Sequence, residues 1–271
     1  MRNRPSASAE NVATVRALLT GFGLLDDPYA ERFLGPTRHT AYRCLGRLKP
    51  NGLGKRAYAW ILVRTRFYDD LVAHGIDTGI RQIVIIGAGY DARAWRLASP
   101  GVRFVEIDHP VTQGRKLGLA PAGGPVFVAA DLAVEPVEDV LARAGVRSDQ
   151  PAVYVCEGLT LYLDESDVRQ MLGHIARVSA SGTVLGVDFV LPSLARGLTR
   201  VMMAVQRVIL AAGGEHLLFS LRSADTPDFL RSLGWADVHL HTGRELYEQY
   251  LLSTGLPQPQ DDAYLVSAVI E

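Results

Sequence analysis

Cysteine is nearly absent. Cys44 and Cys156 are the only two in 271 residues, too few for a disulfide framework or a cysteine-based zinc site, so both are expected as buried small apolar side chains. No charge sign dominates either. With 28 Lys+Arg against 29 Asp+Glu the formal net charge is −1 and no long basic run occurs, which argues against an electrostatic grip on nucleic acid. Long apolar runs are missing too. The most apolar helical stretch, Val201 to Ala212, is broken by Gln206 and Arg207, short of the ~18 residues of a membrane span. The start, Met1 to Glu10, is polar, contains Pro5 and has no signal-peptide core, so a cytoplasmic chain with a frayed beginning is expected. There is no internal repeat. The histidines, at 39, 74, 109, 174, 216, 239 and 241, never fall into an H-x-x-x-H spacing, which speaks against a histidine metal site.

What remains is enough for a sizeable core. Apolar residues make up 48 % and charged ones 21 %, which excludes general disorder. The length fits one large α/β domain with additions, or two small ones. Residues 1–80 read as an N-terminal helical cap. Val12, Val15 and Leu18-Leu19 form an apolar stripe ended by Gly21 and Gly23, and Asp26-Asp27-Pro28-Tyr29 signals a helix start. A longer helix is expected from about Lys55 to His74, with Gly75 as its stop.

At Gln82 the texture changes. Ile83-Val84-Ile85-Ile86 is a continuous β-branched run, suited to a strand covered on both faces. Similar runs recur at Arg103 to Ile107, Val126 to Ala129, Ala152 to Val155, Thr183 to Val190, Trp235 to Leu240 and Tyr264 to Ile270. Helical stretches fall between them, at Ala92 to Leu97, Val137 to Ala144, Ser166 to Val178, Thr226 to Leu233 and Arg244 to Tyr250. Alternating elements imply parallel strands with crossover helices. Residues 81–271 are therefore expected to form a doubly wound, mostly parallel α/β sheet, finished by an antiparallel pair with a hairpin-like return. The segment Pro192 to Gly214 exceeds a minimal domain of this kind. It reads as an inserted helix, either a lid hinged at Gly213-Gly214 or a core or dimer-interface helix.

Ile86-Gly87-Ala88-Gly89-Tyr90-Asp91-Ala92 joins the first strand to a helix. Glycines there let backbone approach a ligand at the carboxyl edge of the sheet, and the letters satisfy G-x-G-x-x-A. Asp108 closes the second strand, where a carboxylate accepts the hydroxyls of an adenosine ribose; the ordinary alternative is a loop acid or helix cap before Pro110. Together these features fit a nicotinamide cofactor or S-adenosylmethionine. Downstream acids separate the two. Asp131 and Leu132 follow the third strand, where the carboxylate suits an adenine amino group and the Leu132 N–H a ring nitrogen. Glu157 stands at the tip of the fourth strand, where an acid stabilises an ammonium and a sulfonium but repels a pyrophosphate.

The run from Gln82 to Leu97, with Gly87-Ala88-Gly89-Tyr90-Asp91-Ala92-Arg93-Ala94-Trp95-Arg96-Leu97, resembles the signature of leucine carboxyl methyltransferase-like proteins. Supporting matches are Asp27-Pro28-Tyr29-Ala30, Arg64 to Asp70, Phe104 to Pro110, Asp131-Leu132, Glu157 to Leu163 and Arg244 to Tyr247. The resemblance implies a class I methyltransferase fold, S-adenosyl-L-methionine as cofactor and O-methylation of small molecules, many of them in bacterial polyketide-type pathways. It implies that Arg64, with Arg16 from the first helix, reaches the cofactor's methionine carboxylate. Gly87, Ala88 and Gly89 would line the cofactor, Asp108 hold the ribose, Asp131 and Leu132 take the adenine, and Glu157 lie at the amino-acid end. Tyr162 matches a tyrosine near the transfer point and, with Arg64, is the candidate for positioning the acceptor.

Each has an ordinary use as well: Arg64 as an exposed helix arginine, Tyr162 as core packing, Asp69 and Asp70 as surface charges beside Arg66. Trp95 and Leu97 are expected in helix–sheet packing, Met202 and Met203 in a core or lid. A carboxylate acceptor is already ionised at neutral pH, so in-line methyl transfer needs orientation rather than a base or metal. A phenol or alcohol would need a base, for which His216 is the candidate. The expectation is a carboxyl O-methyltransferase acting on a small-molecule acid, as a monomer or homodimer. The rivals are a hydroxyl O-methyltransferase, an NAD(P) oxidoreductase and a non-catalytic cofactor-binding protein.

Overall fold

The computed structural model describes residues 5–45, 54–191, 217–259 and 263–271. Seven strands form one sheet: β1 (Gln82–Ile86), β2 (Arg103–Asp108), β3 (Val126–Ala129), β4 (Ala152–Cys156), β5 (Val184–Val190), β6 (Ala236–His241) and β7 (Ala263–Val269). Their spatial order is β3-β2-β1-β4-β5-β7-β6. The first five are parallel, with Ile83 beside Phe104 on one flank and Val153 on the other. The chain thus reverses its direction of winding between β1 and β4, the switch point at which sheets of this kind open a crevice.

The helices are α1 (Ala7–Gly21), α2 (Pro36–Leu45), α3 (Gly54–Asp77), α4 (Arg93–Arg96), α5 (Pro110–Leu117), α6 (Val137–Arg143), α7 (Glu165–Val178), α8 (Thr226–Ser232) and α9 (Gly243–Tyr250). Two apolar cores flank the sheet. Ile83 and Ile85 of β1 point into one with α1, α3 and α9, while Val84 and Ile86 point into the other with α6, α7 and α8. This two-sided cover is why β1 reads as an unbroken apolar run rather than an alternating one.

Several expectations need correction. The antiparallel end is not a hairpin: β7 inserts between β5 and β6, and α9 lies in the connection from β6. The helix start expected at Asp26-Asp27-Pro28-Tyr29 is there, but it opens a 3-10 turn and not an α-helix. Asp27 Oδ1 accepts from the N–H groups of Tyr29 and Ala30 and caps a short 3-10 turn, Ala30–Phe33. The beginning is anchored from Ser6 on, because that residue caps α1 and its N–H donates to Thr112 Oγ1 at 3.1 Å. Cys156 is buried as expected, but Cys44 is exposed on α2.

Helices α2 and α5 were not foreseen, and α5 shows why. Its polar Thr112, Gln113 and Lys116 are buried while Leu117 is 51 % exposed, so its pattern is inverted. Trp95 packs against Phe33 and Phe127, as expected. Among the described residues no helix is long and apolar enough to cross a membrane. The helix expected over 192–214, with Met202, Met203 and the Gly213-Gly214 hinge, lies outside the described residues, as does His216.

Candidate functional site

The carboxyl ends of β1, β2 and β4 converge beside the switch point, and the tight turn after β1 organises them. Gly87 and Ala88 both donate their N–H to Ile107 O, at 2.8 and 3.1 Å, pinning the turn to the end of β2. Gly87 has φ +69°, and a Cβ there would lie 2.9 Å from Leu159 Cδ1. Only glycine fits both conditions. Gly89 packs against Ala9 of α1, and its N–H donates to Asp108 Oδ2 at 2.5 Å. The other oxygen of Asp108 accepts from its neighbour His109 N at 2.6 Å. The acid at the tip of β2 is thereby aimed at the glycine turn, and the capping of α5 falls to the His109 ring instead.

Asp131 follows β3 and keeps a half-open carboxylate, with Oδ1 accepting from Ala133 N and Oδ2 3.7 Å from His109 Nε2. Leu132 beside it packs on the core under α6 and α7. These residues line the sheet edge next to Asp108, with β2 and β1 between them and β4.

Glu157 sits at the other side of the crevice, among three arginines. Arg64 Nε lies 3.0 Å from Glu157 Oε1, and Arg93 Nη1 donates to Oε2 at 2.7 Å. Burial alone raises a carboxyl pKa, but here Arg93 and Arg64, with Arg16 further off, outweigh it and hold Glu157 below its ordinary value. Arg64 is not an exposed helix arginine: it is 8 % accessible. Its Nη1 also approaches Asp188 Oδ2 of β5 at 3.5 Å. Asp188 is fixed in turn by Gly158 N at 2.6 Å and by the Tyr68 hydroxyl at 3.2 Å, yet burial keeps its pKa above the usual carboxyl range. Tyr162 is half-buried in the turn Thr160–Tyr162, within electrostatic reach of Arg64.

Arg16 of α1 reaches the same crevice. Its Nε lies 2.9 Å from Asp27 Oδ2, and Nη2 donates to Tyr90 O in the glycine turn. The Nε atoms of Arg16 and Arg64 are buried without an aligned hydrogen-bond partner. Among the described residues, Arg16 Nη1 and Arg64 Nη2 donate no hydrogen bond either. In chemical terms the two buried guanidinium groups are of the kind that matches a carboxylate, and Glu157, paired with Arg64 and Arg93, is of the kind that matches an ammonium.

One further expectation about this region was wrong, that of Asp69, whereas Asp70 is an exposed helix charge as expected. Asp69 does not pair with Arg66; it binds Arg93 Nε at 2.7 Å and Arg96 Nη1 at 2.7 Å. Asp70 accepts from Tyr250 Oη of α9 at 2.8 Å. The sequence reading also missed Arg93, Asp91 and Asp188. Arg93 is wholly buried and ties Asp69, Asp91 and Glu157 together. Burial opposes the charge on Asp91, but Arg93, with Arg16 and Lys116, brings its carboxyl down to about 2. The Asp-x-Arg spacing within the signature was the available clue.

A seven-stranded sheet with this order, a glycine turn after β1 and acids at the tips of β2 and β4 defines the class I Rossmann-like methyltransferase fold. Structural comparison agrees. A DUF574-family protein from Streptomyces avermitilis superposes with TM-score 0.63 at 17 % identity, covering 98 % of each chain. A Thermobifida fusca protein, provisionally described as a methyltransferase, gives 0.61 at 14 %, covering 99 % of this chain and 96 % of its own.

The leucine carboxyl methyltransferase family model matches residues 9–176, and the chain belongs to that family. A Streptomyces coelicolor relative is 35 % identical over 219 residues, 77 % of this chain and 74 % of its own. One from Mycobacterium avium is 30 % identical over 295 aligned positions, 97 % of this chain and 90 % of its own. Both carry the provisional name of S-adenosyl-L-methionine-dependent methyltransferase.

Proposed function

We propose that this chain is an S-adenosyl-L-methionine-dependent O-methyltransferase whose acceptor is the carboxylate of a small-molecule acid. Methyl transfer follows from family membership and from the donor named in its relatives. The carboxylate acceptor is our own reading. The observation that supports the cofactor assignment is the presence of two buried arginines, Arg16 bound to the glycine turn and Arg64 paired with Glu157, beside the switch point, each with a buried Nε that lacks an aligned hydrogen bond.

The fit can be followed residue by residue. Arg16 and Arg64 offer N–H donors to the methionine carboxylate, and Glu157, held ionised by its arginines, takes the ammonium. Asp108 accepts the ribose hydroxyls while Gly89 N keeps it in place. Gly87 and Ala88 leave backbone, not side chain, along the cofactor. Asp131 and the Leu132 N–H receive the adenine. Bound there, the cofactor supplies a methyl group made electrophilic by a positive sulfur.

The chain's remaining task is orientation. Tyr162, beside Arg64, positions the acceptor, and no group need remove a proton because a carboxylic acid is ionised at neutral pH. A nicotinamide dinucleotide fits poorly, since its pyrophosphate would meet Glu157 and Asp188. The test is incubation with methyl-labelled donor and a panel of small carboxylic acids and phenols. Base-labile label on an acid supports the reading, and base-stable label confined to phenols overturns it.

A further inference from the structure

Arg64 and Tyr68 of α3, an i, i+4 pair, face Asp188, while the neighbouring Asp69 carboxylate and the Thr65 backbone carbonyl face Arg93. Arg93 lies at the start of α4, just past the glycine turn, and none of its side chain is exposed. Every face of its guanidinium is engaged. Nε donates to Asp69 Oδ1 at 2.7 Å, Nη2 to Thr65 O at 3.2 Å, and Nη1 to both Asp91 and Glu157 Oε2. The plane also lies 5.5 Å from the centre of the Tyr68 ring. One side chain thus joins the β1 turn, the tip of β4 and the very helix turn that carries Arg64.

This arrangement goes beyond packing. A buried arginine needs a carboxylate partner and acceptors for its remaining N–H groups to offset its desolvation, and backbone carbonyls can serve as the latter. Here it divides its donors among three carboxylates on three elements, one of which faces the crevice. The planar fork fixes directions as well as charge. Glu157 has a free choice of rotamer only until Oε2 is taken by Arg93, after which Oε1 is left toward Arg64 and the crevice.

We propose that Arg93 is a positioning residue for the amino-acid end of the cofactor: it sets the direction of the Glu157 carboxylate and, through Asp69 and Thr65, the seat of Arg64. The inference rests on the cofactor assignment above. It makes a prediction that a structural role does not, because the effect must be confined to the tail of the ligand. Arg93 touches nothing on the Asp108 and Asp131 side, where the adenosine half is to be held.

The experiment compares two probes on the full chain by titration calorimetry. S-adenosylhomocysteine carries the amino-acid tail, and methylthioadenosine carries the adenosine half alone. Arg93→Lys keeps the charge but cannot reach three carboxylates in one plane. It should weaken S-adenosylhomocysteine by about thirtyfold, the low end of what truncating a buried charge pair costs, and leave methylthioadenosine within about twofold. Equal weakening of both probes, or of neither, overturns the proposal. If Arg93→Lys does not fold, Asp69→Asn carries the same test, because it weakens the tether of Arg93 to α3 while leaving its bonds to Asp91, Glu157 and Thr65 O, although Arg96 loses its partner too; the tail-selective loss is then expected to be smaller, about fivefold. Failure of the wild-type chain to bind either probe would instead refute the cofactor assignment, so the two failures are distinguishable.

Discussion

Removing the ammonium of Lys116 should produce a stability loss that grows as the solution becomes more alkaline. Glu106 of β2 and Lys116 of α5 are both about 1 % exposed and form a direct ion pair. The ammonium also lies 5.7–5.9 Å from the centres of the Trp95, Phe33 and Phe127 rings. Burial pushes Glu106 from 4.5 up to about 7; Lys116 opposes this, while Asp91 and Asp108 add to it. An acid whose folded value is raised holds its proton more tightly in the native state. Its contribution to stability is therefore fully present below about 4.5 and is lost as pH rises through about 7.

In Lys116→Met the stem is kept but the opposing charge is gone, so Glu106 moves higher still. The wild-type chain has lost this contribution by about pH 7, whereas the variant goes on losing it above that. At about 1.4 kcal/mol for each further pH unit, the variant's deficit should widen by about 1–2 kcal/mol between about pH 5.5 and 8.5. Urea unfolding at both pH values measures it, with Trp95 fluorescence as a probe adjacent to the substitution. A deficit that is the same at both ends, or larger at the acid end, refutes the account of this pair.

Other outcomes follow from the same structure. Gly87→Ala should lose about 1–2 kcal/mol to its left-handed backbone alone and more to Leu159; adding Leu159→Ala should recover only the second part, as thermal unfolding of the pair would show. Tyr250→Phe removes the hydrogen bond from α9 to Asp70 on α3 and should cost about 1 kcal/mol, the low end for a bond to a partly solvated charge, measured by urea unfolding. His241 is held down to about 4 by burial and then by His239. A base lowered in this way contributes stability above its unfolded value of 6.5 and loses it as pH falls toward 4. His241→Gln should therefore lose less melting temperature than the wild-type chain over that interval, and parallel curves would contradict this.

Much of the sheet was visible in the amino-acid order because burial on both faces leaves a signal that needs no context. Ile83 to Ile86 is such a run, and β1 begins and ends within a residue of it. The order of the last strands was not legible. Nothing local in Tyr264 to Val269 says that it pairs with β5 as well as β6, since that choice is made by which edge the rest of the fold leaves open. Helix α5 escaped because its buried face is built from Thr112, Gln113 and Lys116, whose polar groups are satisfied by partners outside the helix, Ser6 and Glu106.

The candidate site divides in the same way. Asp108, Asp131 and Glu157 could be placed from strand ends, because a residue that follows a parallel strand must emerge at the carboxyl edge. The helical arginines could not. Arg64 sits in a helix two residues before another arginine, Arg66, and its burial depends on Glu157 and Asp188, which are 93 and 124 positions away. The resemblance, not the periodicity, singled it out. For Arg93 the only pointer was its place in the signature, because its three carboxylates come together only when β1, β4 and α3 are assembled.

The central claim is that one crevice, at the tips of β1, β2 and β4, receives a sulfonium nucleoside with its amino-acid tail among the arginines. A crystal structure of the chain with S-adenosylhomocysteine tests it most directly. The account predicts ribose hydroxyls on Asp108, the tail carboxylate on Arg16 and Arg64, and the ammonium on Glu157. A ligand seated elsewhere, or a tail turned away from those three side chains, contradicts it.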